Sequence, residues 1–326
     1  MPHRTPRRGP AVFEFRYPSV ATRQKVAAKV WAFRLEPQGV GDDDVRGVVQ
    51  IAHGMSEHAR RYLPFARFLA EHGFVVVAND HLGHGETAAD EDDFGFFGVQ
   101  RSKTLLVEDM RTLFLKTRER YPDAPYFMLG HSMGSFLLRE YLVTYGELSG
   151  AIIMGTGDPS PTTLSLGLGL TRLIETLTIK GERYRSPRLR KLVMGNYNAR
   201  IKNPRTEFDW LSTDPIAVNA YEADRMTGFT FTTNGYEHMF SNLLFAVSNH
   251  AITRTPKELP LLVISGADDP VGGYGEQVRT FVRRLEAAGV HDVTLILYPG
   301  MRHEVLNEVE RQQVYDDILA WLDAHL

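Results

Sequence analysis

The stretch MLGHSMGSFLLREYL, residues 128–142, sets Ser132 between Gly130 and Gly134. The residues before Ser132 are apolar and strand-like, whereas those after it have helical spacing. A strand that turns at once into a helix leaves little room for side chains beside the turn, and glycine relieves that crowding. The pattern predicts a sharp turn that exposes the Ser132 hydroxyl at the carboxyl edge of a sheet. The alternative is a capping serine in a glycine-rich turn.

Strands and helices alternate on both sides of this turn. Apolar runs that are typical of buried strands are separated by segments with helical periodicity. The predicted strands lie at 45–54, 74–80, 125–130, 150–157, 259–269 and 293–300. Two earlier segments, AVFEFRY and KVAAKVWAFRLE, alternate as a hairpin at a sheet edge would. The order predicts an α/β fold with a mostly parallel central sheet flanked by helices.

The alternation stops between residues 158 and 235, which are rich in Arg, Thr and Pro. We expect this block to be a mainly helical insertion over the sheet. The core would then comprise residues 11–157 and 236–326. Residues 1–10, which are rich in Pro and Arg, are predicted to be disordered.

Composition excludes several classes of protein. The 326 residues include 37 basic and 40 acidic side chains, so we expect no nucleic-acid partner. The absence of cysteine excludes a disulfide framework and a cysteine nucleophile. No apolar run reaches the roughly 18 residues of a membrane span. The basic start, MPHRTPRRGP, has no apolar stretch behind it, which argues against a signal peptide and favours a cytoplasmic protein.

A serine hydroxyl needs a base to take its proton, and that base needs an acid to orient it. His303 follows the last predicted strand and would lie above the same sheet edge as Ser132. Asp268 and Asp269 follow the preceding strand, and position alone allows either to be the acid. The chain order of serine, aspartate and histidine is the order found in α/β-hydrolases.

An acyl-transfer site also needs hydrogen-bond donors for the oxyanion. The backbone N–H of Met133 follows the predicted nucleophile, and the turn at residues 53–56 is placed to supply a second donor from Met55. Their side chains would then be free to line the pocket.

Several histidines could be mistaken for metal ligands. His53, Glu57 and His58 lack the metalloprotease spacing, since residues five apart on a helix point in different directions. His81 and His84 lie beside glycines and are typical of a shaped loop. We therefore expect neither a metal nor a cofactor.

Five segments share one family pattern: HGMSEHARRY (53–62), NDHLGHGET (79–87), GHSMGS (130–135), SGADDPVG (265–272) and YPGMRHEVLNE (298–308). Together they resemble the monoglyceride lipase and lysophospholipase branch of the α/β-hydrolases, from about residue 11 to the end. The resemblance implies a cap inserted after the sixth strand, over residues 158–235. It selects Asp269 as the acid, because the family's acid lies three residues after the strand-end glycine. It also implies that the Met55 and Met133 amides form the oxyanion hole.

The chain departs from the family pattern at two positions of the oxyanion turn. Ser56 stands where many members have glycine, and Met55 is bulkier than the common alanine. Both departures leave Ser132, Asp269 and His303 intact, but they change the expected shape of the acyl pocket.

The resemblance implies a serine hydrolase that cleaves monoacylglycerols or similar single-chain lipid esters. A lysophospholipase, with Arg183, Arg185 and Arg188 near the head group, and a general carboxylesterase are alternatives within this class. Peptidases and acyltransferases share the serine turn, and an inactive ligand-binding module on the same scaffold is the alternative from another class.

The predicted cap offers an apolar helix face. Residues 162–181 place Leu166, Leu170 and Leu173 on one side, followed by Ile174 and Leu177. We expect the first three to line an acyl tunnel and the cap to make transient contact with a membrane or micelle. The alternative is a face that simply packs on the domain.

Overall fold

The computed structural model describes residues 10–23, 26–98 and 104–326. The predicted disorder of residues 1–10 therefore falls outside the described residues, except for Pro10. Eight strands are present in these ranges: β1 (Ala11–Arg23), β2 (Val26–Glu36), β3 (Gly47–Ala52), β4 (Phe74–Asn79), β5 (Tyr126–His131), β6 (Gly150–Met154), β7 (Leu261–Gly266) and β8 (Val293–Tyr298). Ten α-helices accompany them in the same ranges: α1 (Leu63–Glu71), α2 (Leu105–Arg120), α3 (Met133–Thr144), α4 (Pro161–Leu177), α5 (Pro187–Met194), α6 (Pro215–Ala223), α7 (Thr233–Ala246), α8 (Asn249–Arg254), α9 (Glu276–Ala287) and α10 (Arg311–Ala324).

The strands form one sheet in the order β1-β2-β4-β3-β5-β6-β7-β8. The N-terminal strands β1 and β2 form an antiparallel hairpin, and β2 pairs with β4 in the antiparallel sense. The six strands β3 to β8 are all parallel to one another. The predicted edge hairpin and mostly parallel sheet are confirmed. Since parallel strands end at a common edge, the turns after β3, β5, β7 and β8 meet there.

Helices cover both faces of the sheet. Along β5, Phe127 and Leu129 pack in the layer of α1 and α10, whereas Met128 packs in the layer of α2, α3 and α9. Because the central strands are buried on both faces, their sequences are continuous apolar runs and not alternating ones.

Residues 155–260, the β6–β7 connection, carry α4 to α8. Four of these helices begin beside a capping side chain whose oxygen accepts a backbone N–H in the first turn: Ser186, Asp214, Thr232 and Ser248. Residue 235, the expected end of the cap, lies inside α7, and the division into core and cap stays a prediction. In the described part of the chain, no helix has the length and apolar character needed to cross a membrane.

Candidate active site

Ser132 occupies a strained turn between β5 and α3. Its φ of 52° and ψ of −119° lie where side chains are rarely tolerated, and its N–H donates to the carbonyl of Met154 on β6 at 3.0 Å. A side chain at Gly134 would overlap the carbonyl oxygens of Ala52 and His53. The flanking glycine therefore allows α3 to begin directly against the end of β3.

Asp269 and His303 form a pair on the loops that follow β7 and β8. His303 Nδ1 lies 2.9 Å from Asp269 Oδ2, which also accepts from the Ser265 hydroxyl at 3.1 Å, while Oδ1 accepts from the Val271 N–H at 2.8 Å. Both side chains are buried, and Asp268 is exposed. The pair leaves Nε2 of His303 as the ring nitrogen that can exchange a proton with a reacting group.

A cavity of about 500 Å³ brings the predicted site residues together. Ser132 and His303 both line it, as do Met55 and Met133 from the two predicted donor positions. Met133 is the first residue of α3, where a backbone N–H has no acceptor within the helix. The arrangement offers a hydroxyl, an imidazole and a helix N-terminus to one bound molecule.

The wall of the cavity that belongs to the β6–β7 connection is apolar. Its aliphatic and aromatic side chains come mainly from α4 and α7: Leu164, Leu166, Leu170, Met239, Phe240 and Leu243.

Of the three leucines of α4 predicted to line an acyl tunnel, Leu166 and Leu170 border the cavity and Leu173 does not. Leu166 is 70% exposed, Leu173 55% and Leu170 39%, so Leu170 is the least exposed of the three. The buried side of the helix contains Leu164, Gly167 and Thr171. A Cβ at Gly167 would lie 2.7 Å from Phe240 Cζ, so α7 approaches α4 at the glycine and turns the leucines outward.

Similarity to known proteins agrees with this geometry. Residues 43–310 match the family model described as serine aminopeptidase, S33. The chain belongs to this family. It is 32% identical over 294 residues to the monoacylglycerol lipase of Mycolicibacterium smegmatis, covering 87% of this chain and 91% of that protein. Human monoglyceride lipase is 25% identical over 286 residues, covering 85% and 82%.

Among solved structures, a thermostable carboxyl esterase from Bacillus coagulans superposes with a TM-score of 0.87 at 35% identity, covering 96% of this chain and 98% of that one. These relatives confirm the α/β-hydrolase fold and the monoglyceride lipase branch. The chain is a carboxylic ester hydrolase.

The family motif HGMSEHARRY builds the turn that carries Met55. The Gly54 N–H donates to Glu57 Oε1 at 2.6 Å, and the Ser56 N–H donates to His84 Nε2 at 3.3 Å. Ser56 has a φ of 54°, a value that explains why many members have glycine at this position. Hydrogen bonds on both sides of Met55 thus fix the direction of its backbone N–H.

His53, His81 and His84 form a buried cluster behind this turn. Burial lowers the pKa of His81 to about 4 and that of His84 to about 3, and it lowers the pKa of His53 well below its usual value. The rings are therefore neutral, and they bond to backbone groups: His53 to Gly54, His81 to His53 and His84 to Leu82. Within residues 10–23, 26–98 and 104–326, no three His, Cys, Asp or Glu side chains are arranged to hold a metal ion.

Sequence reasoning missed a buried ionic network beside the cavity. Arg61 donates to Glu304 at 2.5 and 2.6 Å and to Glu57 at 2.8 Å, and its guanidinium lies over the ring of Tyr221. Glu57, Glu304 and Tyr221 all line the cavity. The Glu57–Arg61 spacing of four residues is a signal that could have indicated this pair.

Proposed function

We propose that this hydrolase cleaves monoacylglycerols or similar single-chain lipid esters through an acyl-enzyme on Ser132. The observation that supports the proposal best is the composition of the cavity. An apolar wall from α4 and α7 and a polar wall from Glu57, Glu304 and Tyr221 both border the space that Ser132 and His303 line. A molecule with one acyl chain and a small hydroxylated head matches both walls.

In the proposed reaction, Ser132 Oγ attacks the ester carbonyl while His303 Nε2 takes its proton. Asp269 holds Nδ1–H of His303 and stabilises the imidazolium. The N–H groups of Met55 and Met133 donate to the oxyanion of the tetrahedral intermediate. His303 then protonates the leaving alcohol, and water, activated by the same ring, releases the fatty acid from Ser132.

The family's peptidase description suggests a second chemistry, which the polar wall does not favour. An aminopeptidase has to bind the free ammonium group of its substrate, and an unpaired carboxylate serves that purpose. Glu57 and Glu304 both contact the cavity, but both form ion pairs with Arg61. An ester with an uncharged head group suits this wall better.

Two of the three arginines that could favour a lysophospholipase, Arg183 and Arg185, are engaged elsewhere. Arg183 pairs with Asp93 at 3.1 Å and lies over the Phe96 ring, and Arg185 donates to the backbone carbonyls of residues 91, 92 and 94. These contacts hold both side chains in structural roles, so they give a phosphate head group no particular preference.

A substrate panel tests the proposal. The wild-type enzyme is given a long-chain monoacylglycerol, the matching triacylglycerol, a lysophosphatidylcholine and an aminoacyl anilide, with active sites counted by a fluorophosphonate probe. We expect the monoacylglycerol to have the highest kcat/KM and the probe to label one site. Preference for the anilide or the triacylglycerol would overturn the substrate assignment, and a lack of labelling would favour an inactive binding module.

A further inference from the structure

The β6–β7 connection is hydrogen-bonded to the loop that carries His303. We call residues 209–214 the strap. The His303 N–H donates to the carbonyl of Trp210 at 3.4 Å, and the Glu304 N–H donates to the carbonyl of Leu211 at 2.7 Å. Arg302 Nη1 adds bonds to the carbonyls of Asp209 at 2.6 Å and Ser212 at 3.0 Å. The strap thus follows residues 302–304 much as a neighbouring strand would.

Trp210 brings the strap into contact with the imidazole itself. The ring centroids of Trp210 and His303 are 5.0 Å apart, and Trp210 lines the cavity together with Ser132. Trp210 also borders a second cavity of about 710 Å³. A shift of the strap would therefore move Trp210 away from the imidazole that Asp269 orients.

A buried carboxylate, Glu308, fastens the strap to this loop. Its Oε1 accepts from the Arg302 N–H at 2.6 Å, and its Oε2 accepts from the Thr213 N–H at 2.9 Å, the Ser212 hydroxyl at 3.2 Å and the Thr213 hydroxyl. Glu308 is 1% exposed, and all the donors that the described residues provide to its carboxylate come from the strap or from Arg302. Charge-assisted bonds of this kind are stronger than neutral ones.

We propose that Glu308 is a positioning residue that couples the β6–β7 connection to the general base. One carboxylate oxygen holds the residue before His303, and the other holds the strap that places Trp210 against the imidazole. The inference rests on the proposed function, in which His303 takes the serine proton. It means that the geometry of the base depends on the strap, and through the strap on the β6–β7 connection.

Glu308→Gln tests this coupling with little change in size. A glutamine has one acceptor oxygen, so when it serves the three strap donors its NH₂ group faces the Arg302 N–H. We expect kcat per titrated active site on a short soluble ester to fall about 10- to 100-fold, because small displacements of a catalytic group have effects of that size. KM should stay unchanged, since the side chain does not line the cavity.

Asp109→Asn is the matched control. Asp109, on α2, is an equally buried carboxylate. It accepts from the Ser19 hydroxyl at 2.7 Å and from the Val20 N–H at 3.0 Å, and both donors belong to β1, at the opposite edge of the sheet from β8. This variant should lower the melting temperature and leave kcat per active site unchanged. The downfield proton resonance of the His303–Asp269 bond should broaden in Glu308→Gln and persist in Asp109→Asn.

Thr213→Val carries the test if Glu308→Gln does not fold. It removes one hydroxyl donor from the strap side and should lower kcat in the same direction by a smaller factor. Normal kcat per active site in a folded Glu308→Gln, or in Thr213→Val when Glu308→Gln does not fold, would overturn the inference. So would an equal loss in Asp109→Asn, or an effect on KM alone. Failure of the serine mechanism on which the inference rests would be distinguishable, because wild-type enzyme would then escape the fluorophosphonate probe.

Discussion

The carbonyl oxygen of His303 lies 3.3 Å from Nε2 of His131, the residue immediately before Ser132. The other ring nitrogen of His131 faces Glu57 Oε1 at 3.1 Å and the Tyr62 hydroxyl at 2.8 Å. Burial opposes a charge on this ring, but the hydrogen bond and charge of Glu57 outweigh it and raise the pKa of His131. This buried histidine thus connects the turn after β5 with the loop after β8.

Ser132→Ala should abolish turnover and keep the fold. Loss of a serine nucleophile lowers kcat by about a million-fold, because the remaining groups cannot form the acyl-enzyme. Ester hydrolysis and fluorophosphonate labelling measure the loss, and circular dichroism checks the fold. A purified variant with a tenth of the wild-type rate would be incompatible with Ser132 as nucleophile.

Asp269→Asn and Asp268→Asn form a matched pair. Asp269 holds Nδ1 of His303, so its asparagine variant should lose roughly 10⁴-fold in kcat through the wrong histidine tautomer. Asp268 is exposed, and its variant should differ little from wild type. Steady-state rates of both variants decide the matter. Reversed outcomes would identify Asp268 as the acid.

Leu170→Asp should reduce kcat/KM for a long-chain monoester far more than for a short ester. Leu170 borders the cavity, and a carboxylate there would have to be desolvated beside the acyl chain. Leu173→Asp is the control, because Leu173 lies on the same helix but away from the cavity. The measurement is the ratio of the two specificity constants in each variant. Equal ratios in both variants would contradict an acyl chain at Leu170.

His84 should make the enzyme sensitive to mild acid. Its folded pKa is about 3, below the unfolded value near 6.5, so the stability from the neutral ring is complete above pH 6.5 and is lost as the pH falls toward 3. From about pH 7.5 to about pH 5, this one group should cost roughly 2 kcal/mol of the free energy of unfolding.

His84→Gln removes that titration. Urea denaturation at both pH values measures the free energies of unfolding of wild type and variant. The difference between these two free energies should shrink by this amount when the pH is lowered. A constant difference between them would mean that His84 does not have a depressed pKa.

The buried strands could be predicted because parallel strands covered on both faces appear as continuous apolar runs, as in Phe74–Asn79 and Leu261–Gly266. The positions of Ser132 and His303 followed from the ends of such runs. The choice of Asp269 over Asp268 depended on the family resemblance, since a turn has no periodicity that fixes which side chain points inward.

Two features depend on contacts between distant segments and could not be predicted. The leucine spacing of α4 did not show that Leu173 lies away from the cavity, because the approach of Phe240 to Gly167 decides which side of the helix is buried. The contacts of Glu308 could not be predicted either, since its partners at residues 212 and 213 lie in a segment without periodicity.

Pairing of β6 with β7 joins residue 151 to residue 261 across the whole β6–β7 connection. Ser132 precedes this connection in the chain, whereas Asp269 and His303 follow it. During refolding, closure of so long a loop is an entropically costly, late event compared with the formation of local helices. Regain of esterase activity should therefore lag behind regain of helical circular dichroism, which makes catalysis a kinetic reporter of long-range strand pairing in this molecule.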